Sequence, residues 1–187
     1  MNKGILAACA VLLTLSAAFL IHRIQQKPLS EEIEDGAVRD NSDPAAPKQI
    51  ESTEITAFSC CFSVLDLEER GELGSFDYYT MKAQWTDGIV EGFYYPAYHH
   101  GAKDLAYTFQ ADASFMEQLQ KVVAEQNLVQ HNGWDHAVSG LPDQYGADLS
   151  VSYASGERID AIDNQDNFLS MEAMGALIDL FSAYAMK

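Results

Sequence analysis

The sequence is poor in basic residues. Its 187 residues include 11 Lys and Arg against 28 Asp and Glu, so the formal net charge is −17. A nucleic-acid-binding surface needs clustered Lys and Arg to neutralise phosphates, and this composition therefore excludes nucleic acid as a partner. The same negative charge disfavours adsorption to anionic lipid headgroups. The apolar fraction of 48% in turn excludes a wholly disordered chain.

Cysteine is also scarce, since the chain has only Cys9, Cys60 and Cys61. Three cysteines are too few for a disulfide-stabilised scaffold. Adjacent residues on a strand point to opposite faces, so we expect one buried and one half-exposed thiol at positions 60 and 61.

The usual motifs of catalysis and cofactor binding are missing. There is no Gly-x-Ser-x-Gly elbow, no Walker loop, no Rossmann fingerprint and no His-Glu-x-x-His zinc motif. The histidines lack the spacing of a zinc site, so we predict neither a cofactor nor a metal site. An extracytoplasmic hydrolase or metal-dependent enzyme remains as an alternative, and it would use nearby aspartates with His99, His100, His131 and His136.

The first informative segment is an apolar run near the N-terminus. Residues 4–21, GILAACAVLLTLSAAFLI, are 18 residues without a charge. That length lies between a membrane-spanning helix and the shorter apolar region of a cleaved signal peptide. Three interpretations stay open: a retained anchor, cleavage after Ala18 with the small Ser16 at the −3 position, and lipidation of Cys9. Each of them predicts a protein of the cell membrane or a secreted protein, with residues 24–187 outside the cytoplasm.

Residues 24–53 have the composition of a tether. The segment is acidic, contains Pro28, Pro44 and Pro47, and lacks aromatic residues. Such chains are extended and solvated, so we predict a disordered linker between the signal peptide or anchor (residues 1–23) and a single domain (residues 54–187).

The domain alternates strand patterns with helix patterns. Strands are predicted at 55–62, 76–85, 89–95, 105–109, 149–153 and 158–162, and helices at 112–127 and 170–186. Asp87-Gly88 between two strand-like runs is a strong hairpin signal. The order β-β-β-β-α-β-β-α predicts an α+β fold: a mainly antiparallel sheet with two helices packed on one face, preceded by an N-terminal apolar helix.

The aromatic residues suggest where a ligand binds. Trp134 lies in a glycine-containing loop beside Asp135 and His136, and Tyr98 follows an aromatic strand. An exposed ring supplies contact area together with a polar handle. We therefore predict a binding site formed by Trp134, Tyr98, Asp135 and His136, whose partner is an envelope protein or a glycan. A further alternative is a structural protein–protein interaction module that uses the edge of its sheet.

The second half of the domain resembles a known family. The features shared with it are a helix ending near Leu128, the triplet Asn132-Gly133-Trp134, a loop with Gly140 and Pro142, the stretch LSVSYASGERI (149–159) and a terminal helix. Over residues 109–186 this order resembles an uncharacterised family of secreted or membrane-anchored proteins of Gram-positive bacteria related to clostridia. The resemblance implies an extracytoplasmic location and an α+β architecture, and it implies no activity.

Overall fold

A computed structural model describes residues 36–65, 67, 70–98, 105–140 and 145–187. The predicted N-terminal apolar segment and the first part of the predicted linker lie outside these residues, as do His99 and His100. Within the described part of the chain, no helix has both the length and the apolar character needed to span a membrane.

One eight-stranded sheet organises the described residues. Its strands are β1 (Val38–Asp40), β2 (Ile55–Ser63), β3 (Tyr78–Thr86), β4 (Ile89–Ala97), β5 (Tyr107–Ala111), β6 (Asp135–Val138), β7 (Ala147–Tyr153) and β8 (Arg158–Asp163). The spatial order is β1-β6-β8-β7-β2-β3-β4-β5. Every neighbouring pair is antiparallel except β6 and β8, which run parallel.

The hairpin between β3 and β4 forms where the sequence predicts it. Asp87 and Gly88 have φ values of 52° and 86°. Two consecutive residues in this left-handed region give the turn that matches the twist of a two-residue hairpin, and Asp-Gly tolerates it at little cost. The hairpin aligns Tyr79 with Pro96 and Thr86 with Ile89 over the full length of both strands.

Two helices bury one face of the sheet. They are α1 (Ala113–Glu125) and α2 (Met171–Ala185), and both contact β4. Phe115 of α1 meets Phe181 of α2 edge-to-face with 5.2 Å between ring centroids, and Phe181 lies 5.7 Å from Phe58 of β2. Because aromatic side chains bury the largest apolar areas, this ring cluster joins the helices to the sheet.

Side chains cap the start of each helix. Asp112 Oδ1 accepts a hydrogen bond from the amide of Ser114 at 2.9 Å, and Ser170 Oγ accepts one from the amide of Ala173 at 3.1 Å. Each bond satisfies an amide that has no partner within its helix, which fixes where α1 and α2 begin.

The α+β class, the mostly antiparallel sheet and the two helices are confirmed, but the predicted strand order is wrong because it lacks β1 and β6. Strand β1 has only three residues, and β6 has the sequence DHAV, all of it partly exposed. Neither strand shows an alternation of apolar and polar residues, because both lie at one edge of the sheet. Their pairing with each other and with β8 depends on tertiary contacts that a local pattern does not record.

Residues 36–53, which their composition assigns to the linker, make specific contacts with the domain. Strand β1 pairs with β6. Further along, the amide of Asp43 donates to the carbonyl of Gly133 at 2.8 Å, and the amides of Glu51 and Ser52 donate to the carboxylate of Glu157. This segment therefore follows β6 at the sheet edge and then passes the turn between β7 and β8 before it enters β2.

Asn132 connects this segment to the sheet. Its side chain is buried, with 6% of the residue exposed. The amide nitrogen Nδ2 donates to the carbonyl of Pro47 at 2.9 Å, and Oδ1 accepts from the amide of Asp160 in β8 at 2.9 Å. The side chain of Asn132 thus joins residues 36–53 to β8.

Replacing Asn132 with alanine is expected to lower the free energy of unfolding by about 2 kcal/mol, because the carbonyl of Pro47 and the amide of Asp160 lose their buried partner. The same change is expected to speed proteolysis within residues 36–53. Urea denaturation and limited proteolysis measure the two effects. The control is Asn41→Ala at an exposed position of the same segment, and equal effects of the two changes would contradict the role given to Asn132.

Candidate functional site

Three segments meet at the sheet edge formed by β1, β6 and β8. The parallel register sets His136 beside Asp163, and the antiparallel register sets Asp40 opposite His136. Residues directly opposite one another on neighbouring strands point to the same face. Asp40, His136 and Asp163 therefore form a row across this edge.

Asp163 is the centre of the site. It is a buried carboxylate, with 3% of the residue exposed. Its Oδ2 accepts from Trp134 Nε1 at 3.2 Å and lies 3.1 Å from His136 Nδ1. Its Oδ1 accepts from the amides of Gln165 and Asp166 at 2.9 and 3.0 Å. Because a carboxylate only accepts hydrogen bonds, Nδ1 of His136 carries the proton in this contact.

These contacts keep Asp163 ionised. Burial by itself raises the pKa of a carboxyl group, but the hydrogen bonds from the amides of Asp166 and Gln165, the indole of Trp134 and the charge of His136 outweigh it. The net result is a pKa below the ordinary value for aspartate. A buried anion with these partners holds two aromatic side chains, Trp134 and His136, in fixed positions.

A tight turn delivers Trp134 to this position. Gly133 has φ +82°, which an L side chain rarely adopts, and a Cβ atom there would lie 2.6 Å from the carbonyl oxygen of Asp43. The amide of Trp134 donates to the carbonyl of His131, and its own carbonyl accepts from the amide of Ile162. The turn therefore ends with Trp134 already aligned beside β8.

Asn164 holds the other end of β6. Its Oδ1 accepts from the amide of Val138 at 2.8 Å, and its Nδ2 donates to the carbonyl of the same residue at 3.0 Å. The backbone pairing between β8 and this segment begins at Trp134. The side-chain amide of Asn164 continues that pairing to Val138 at the end of β6. Four residues of β6 are fixed in this way without a long ladder of backbone hydrogen bonds.

The indole of Trp134 is held and yet accessible. Its nitrogen bonds to Asp163, while 47% of the residue is exposed. The ring centroids of Trp134 and His136 are 6.4 Å apart. An aromatic ring that is fixed at one edge and still about half exposed loses little conformational freedom when a ligand binds.

The structure brings together two of the four residues predicted for the site. Trp134 and His136 share Asp163, whereas Asp135 alternates to the opposite face of β6. Tyr98 follows β4, which lies five strand positions from β6, or about 24 Å along the sheet. There it contacts Phe76, with 4.8 Å between ring centroids, and its hydroxyl lies 3.3 Å from Ser75 Oγ. Tyr98 and Trp134 therefore do not form one surface.

The two described histidines of the predicted loops have separate surroundings. The ring of His131 lies 4.9 Å from that of Phe168, and burial together with the charge of Lys48 lowers its pKa. His136 bonds to Asp163 instead. Across the described ranges, no group of three or more His, Cys, Asp or Glu side chains is arranged to hold a metal ion.

The two cysteines of the domain behave as the strand pattern predicts. Cys60 is buried on the helix-covered face of β2 and Cys61 is exposed on the other, and neither forms a disulfide. Burial and the neighbouring Cys61 and Asp148 raise the pKa of the Cys60 thiol well above its usual value. Cys60 is therefore an unreactive core residue.

Comparison of the chain with models of protein families, with curated proteins and with solved structures finds no match. The resemblance to a family of secreted or membrane-anchored proteins therefore stays a prediction.

Proposed function

We propose that this chain is an extracytoplasmic protein, attached to the cell membrane through its N-terminal apolar segment, whose α+β domain binds an envelope component without catalysing a reaction. The observation that carries the proposal is the indole of Trp134, which is about half exposed and anchored through its nitrogen to a buried carboxylate. Tryptophan is among the residues that most often dominate binding energy at interfaces.

Two further observations support binding over catalysis. The carboxylate of Asp163 already accepts four contacts from Trp134, His136 and the two amides of the following turn. A carboxylate in this state orients its neighbours and has little capacity left for a substrate. The pair of His136 and Asp163 also lies at a sheet edge, whereas active sites are usually concave pockets that exclude water.

Replacing Trp134 with alanine is expected to reduce retention of the full-length chain on Gram-positive envelope material at least tenfold. The free energy of unfolding is expected to fall by only about 1 kcal/mol, because Asp163 keeps its other three contacts. A saturable pulldown measures retention, and urea denaturation measures stability.

Tyr98→Ala is the matched control for this experiment. It removes an exposed aromatic residue, 38% accessible, from a different part of the sheet. Retention of the Tyr98 variant is expected to equal that of the unmodified chain. Equal retention of the Trp134 variant as well, or retention of the unmodified chain that never saturates, would refute the binding function.

A further inference from the structure

We infer that the ligand group recognised at Trp134 is a cationic side chain, and that the partner is a basic segment of another protein. This inference names the ligand class of the proposed binding function and rests on it. Three features of the edge formed by β1, β6 and β8 support it: its charge, the placement of Asp40, and the surroundings of the indole.

The edge is strongly acidic. The three segments that build it, residues 38–43, 132–138 and 158–166, contain six aspartates against two arginines, Arg39 and Arg158. Arg158 forms an ion pair with Asp160 on the face opposite Asp163, and Asp135 also lies on that opposite face. Arg39 lies between Val38 and Asp40 on β1 and so alternates to the face opposite Asp40. With a net charge of −17 over the whole chain, the long-range field also attracts cations and repels anions.

Asp40 supplies a fixed anion beside the exposed ring. It lies opposite His136 in the pairing of β1 with β6. Its Oδ1 accepts from the amide of Ser42 at 3.0 Å. The hydrogen bonds from Ser42 lower the pKa of this exposed carboxyl, so it is ionised at neutral pH.

The distance between this anion and the indole suits one basic side chain. Trp134 is two residues before His136 and shares its face, since both bond to Asp163 Oδ2. Diagonal neighbours on paired strands are about 7–8 Å apart. A guanidinium group stacked on the indole would therefore reach the carboxylate of Asp40.

The indole itself is prepared for a cation. The face of a tryptophan ring is electron-rich and attracts ammonium and guanidinium groups. The hydrogen bond from Nε1 to the carboxylate of Asp163 increases the electron density of the ring and strengthens this attraction. A neutral sugar would also stack on the ring and donate hydroxyl hydrogen bonds to Asp40, but it would gain no ion-pair attraction from the acidic surroundings.

The experiment uses the full-length chain in detergent and a pair of short peptides. One peptide contains two arginines, and its twin contains citrulline, which has the same shape without the charge. Because the chain has only two tryptophans, Trp85→Phe leaves Trp134 as the single indole fluorophore. Quenching of its fluorescence reports binding, and calorimetry on the unmodified chain provides an independent measurement.

The arginine peptide is expected to bind at least tenfold more tightly than the citrulline peptide, with an affinity that falls as salt increases. Trp134→Ala is expected to weaken binding at least tenfold, and Asp40→Asn about threefold. Asp87→Asn removes the same charge from an exposed hairpin that β6 does not contact, and it is expected to leave the affinity unchanged.

Equal affinity for the two peptides would overturn the cationic ligand, and so would saturable binding of an N-acetylglucosamine oligosaccharide in place of either peptide. Both outcomes would leave the proposed binding function intact as long as retention on envelope material still depends on Trp134. Retention that ignores Trp134 would refute the binding function itself, so the two failures are distinguishable.

Discussion

Asp163→Ala is expected to lower the free energy of unfolding by about 3 kcal/mol at neutral pH and to abolish binding at Trp134. The change removes a buried carboxylate and leaves the indole nitrogen and the amides of Gln165 and Asp166 without their acceptor. Buried donors that lose an ionised partner cost more than an average hydrogen bond. Urea denaturation and the peptide titration measure the two losses, and Asp166→Ala at an exposed neighbouring position is the control for the loss of stability.

Asp163→Asn makes the same test sharper. An asparagine keeps the shape and still accepts from the two amides, but its second terminal atom becomes a donor that faces the N–H of Trp134. We expect a smaller loss of stability, about 2 kcal/mol, with displacement of the indole. A shift in the fluorescence of Trp134, with Trp85 removed, would report the displacement. An unshifted spectrum would contradict the anchoring role of Asp163.

The contribution of Asp163 is expected to depend on pH. Its pKa is lowered in the folded state, so the ionised form is the one that folding favours. The stability it supplies is complete above the unfolded value of about 4 and is lost as the pH falls through the lower folded-state pKa. The difference in stability between the unmodified chain and the Asp163→Asn variant should therefore shrink below about pH 4. Other acidic groups, such as Asp40 and Asp112, titrate identically in both proteins and cancel.

Gly146→Ala is expected to destabilise the domain by about 3 kcal/mol. A Cβ atom at this position would lie 1.8 Å from the carbonyl oxygen of Asp163 and 2.7 Å from the backbone of Asn164. These are backbone atoms of the strand next to β7, so the strands must separate where β8 ends, because no side chain can rotate away. The carbonyl of Gly146 also accepts from the amide of Ser63, and that contact would shift with it.

Thermal and urea denaturation would measure this effect. Gly71→Ala is the matched control, since a Cβ at position 71 meets no atom within 4 Å and the residue has no positive φ. The control is expected to match the unmodified chain or to be slightly more stable. Similar stabilities for the Gly146 and Gly71 variants would show that β7 and β8 can separate freely at this end.

Much of the fold could be predicted because its strands have one buried and one open face. Phe93 and Tyr95 share the open face of β4, with ring centroids 6.3 Å apart, while Tyr94 between them is buried. The same alternation separates Cys60 from Cys61. The alternation of buried and exposed side chains every two residues follows from strand geometry alone. It can therefore be predicted from the sequence without knowing which strands pair.

Only half of the site could be predicted from the sequence. The position of Asp163 at its centre depends on the pairing register of β6 with β8, two segments that are distant along the chain. Trp134 and His136 attract notice as aromatic residues in a polar loop, but nothing local indicates that β6 pairs with β8 in parallel. One signal was present: Ile159, Ala161 and Asp163 occupy one face of β8, so the charge stands where an apolar residue is expected. A buried charge on an apolar face requires partners, and this requirement identifies Asp163 as a centre.

The attachment of residues 36–53 along the sheet edge has a mechanical consequence. A pull applied to the chain ahead of residue 36 would load the pairing of β1 with β6 first, because those contacts come first along the chain. Release of this pairing, together with the backbone bonds of Asn41 and Asp43 to Asp135 and Gly133, would free the chain up to Pro47, where the bond with Asn132 holds it. The freed segment has a contour length of about 40 Å at roughly 3.5 Å per residue, and no core strand carries force before it is extended. Asp40 would leave the side of Trp134 in that step. The acidic edge is thus complete only while the chain ahead of it is slack.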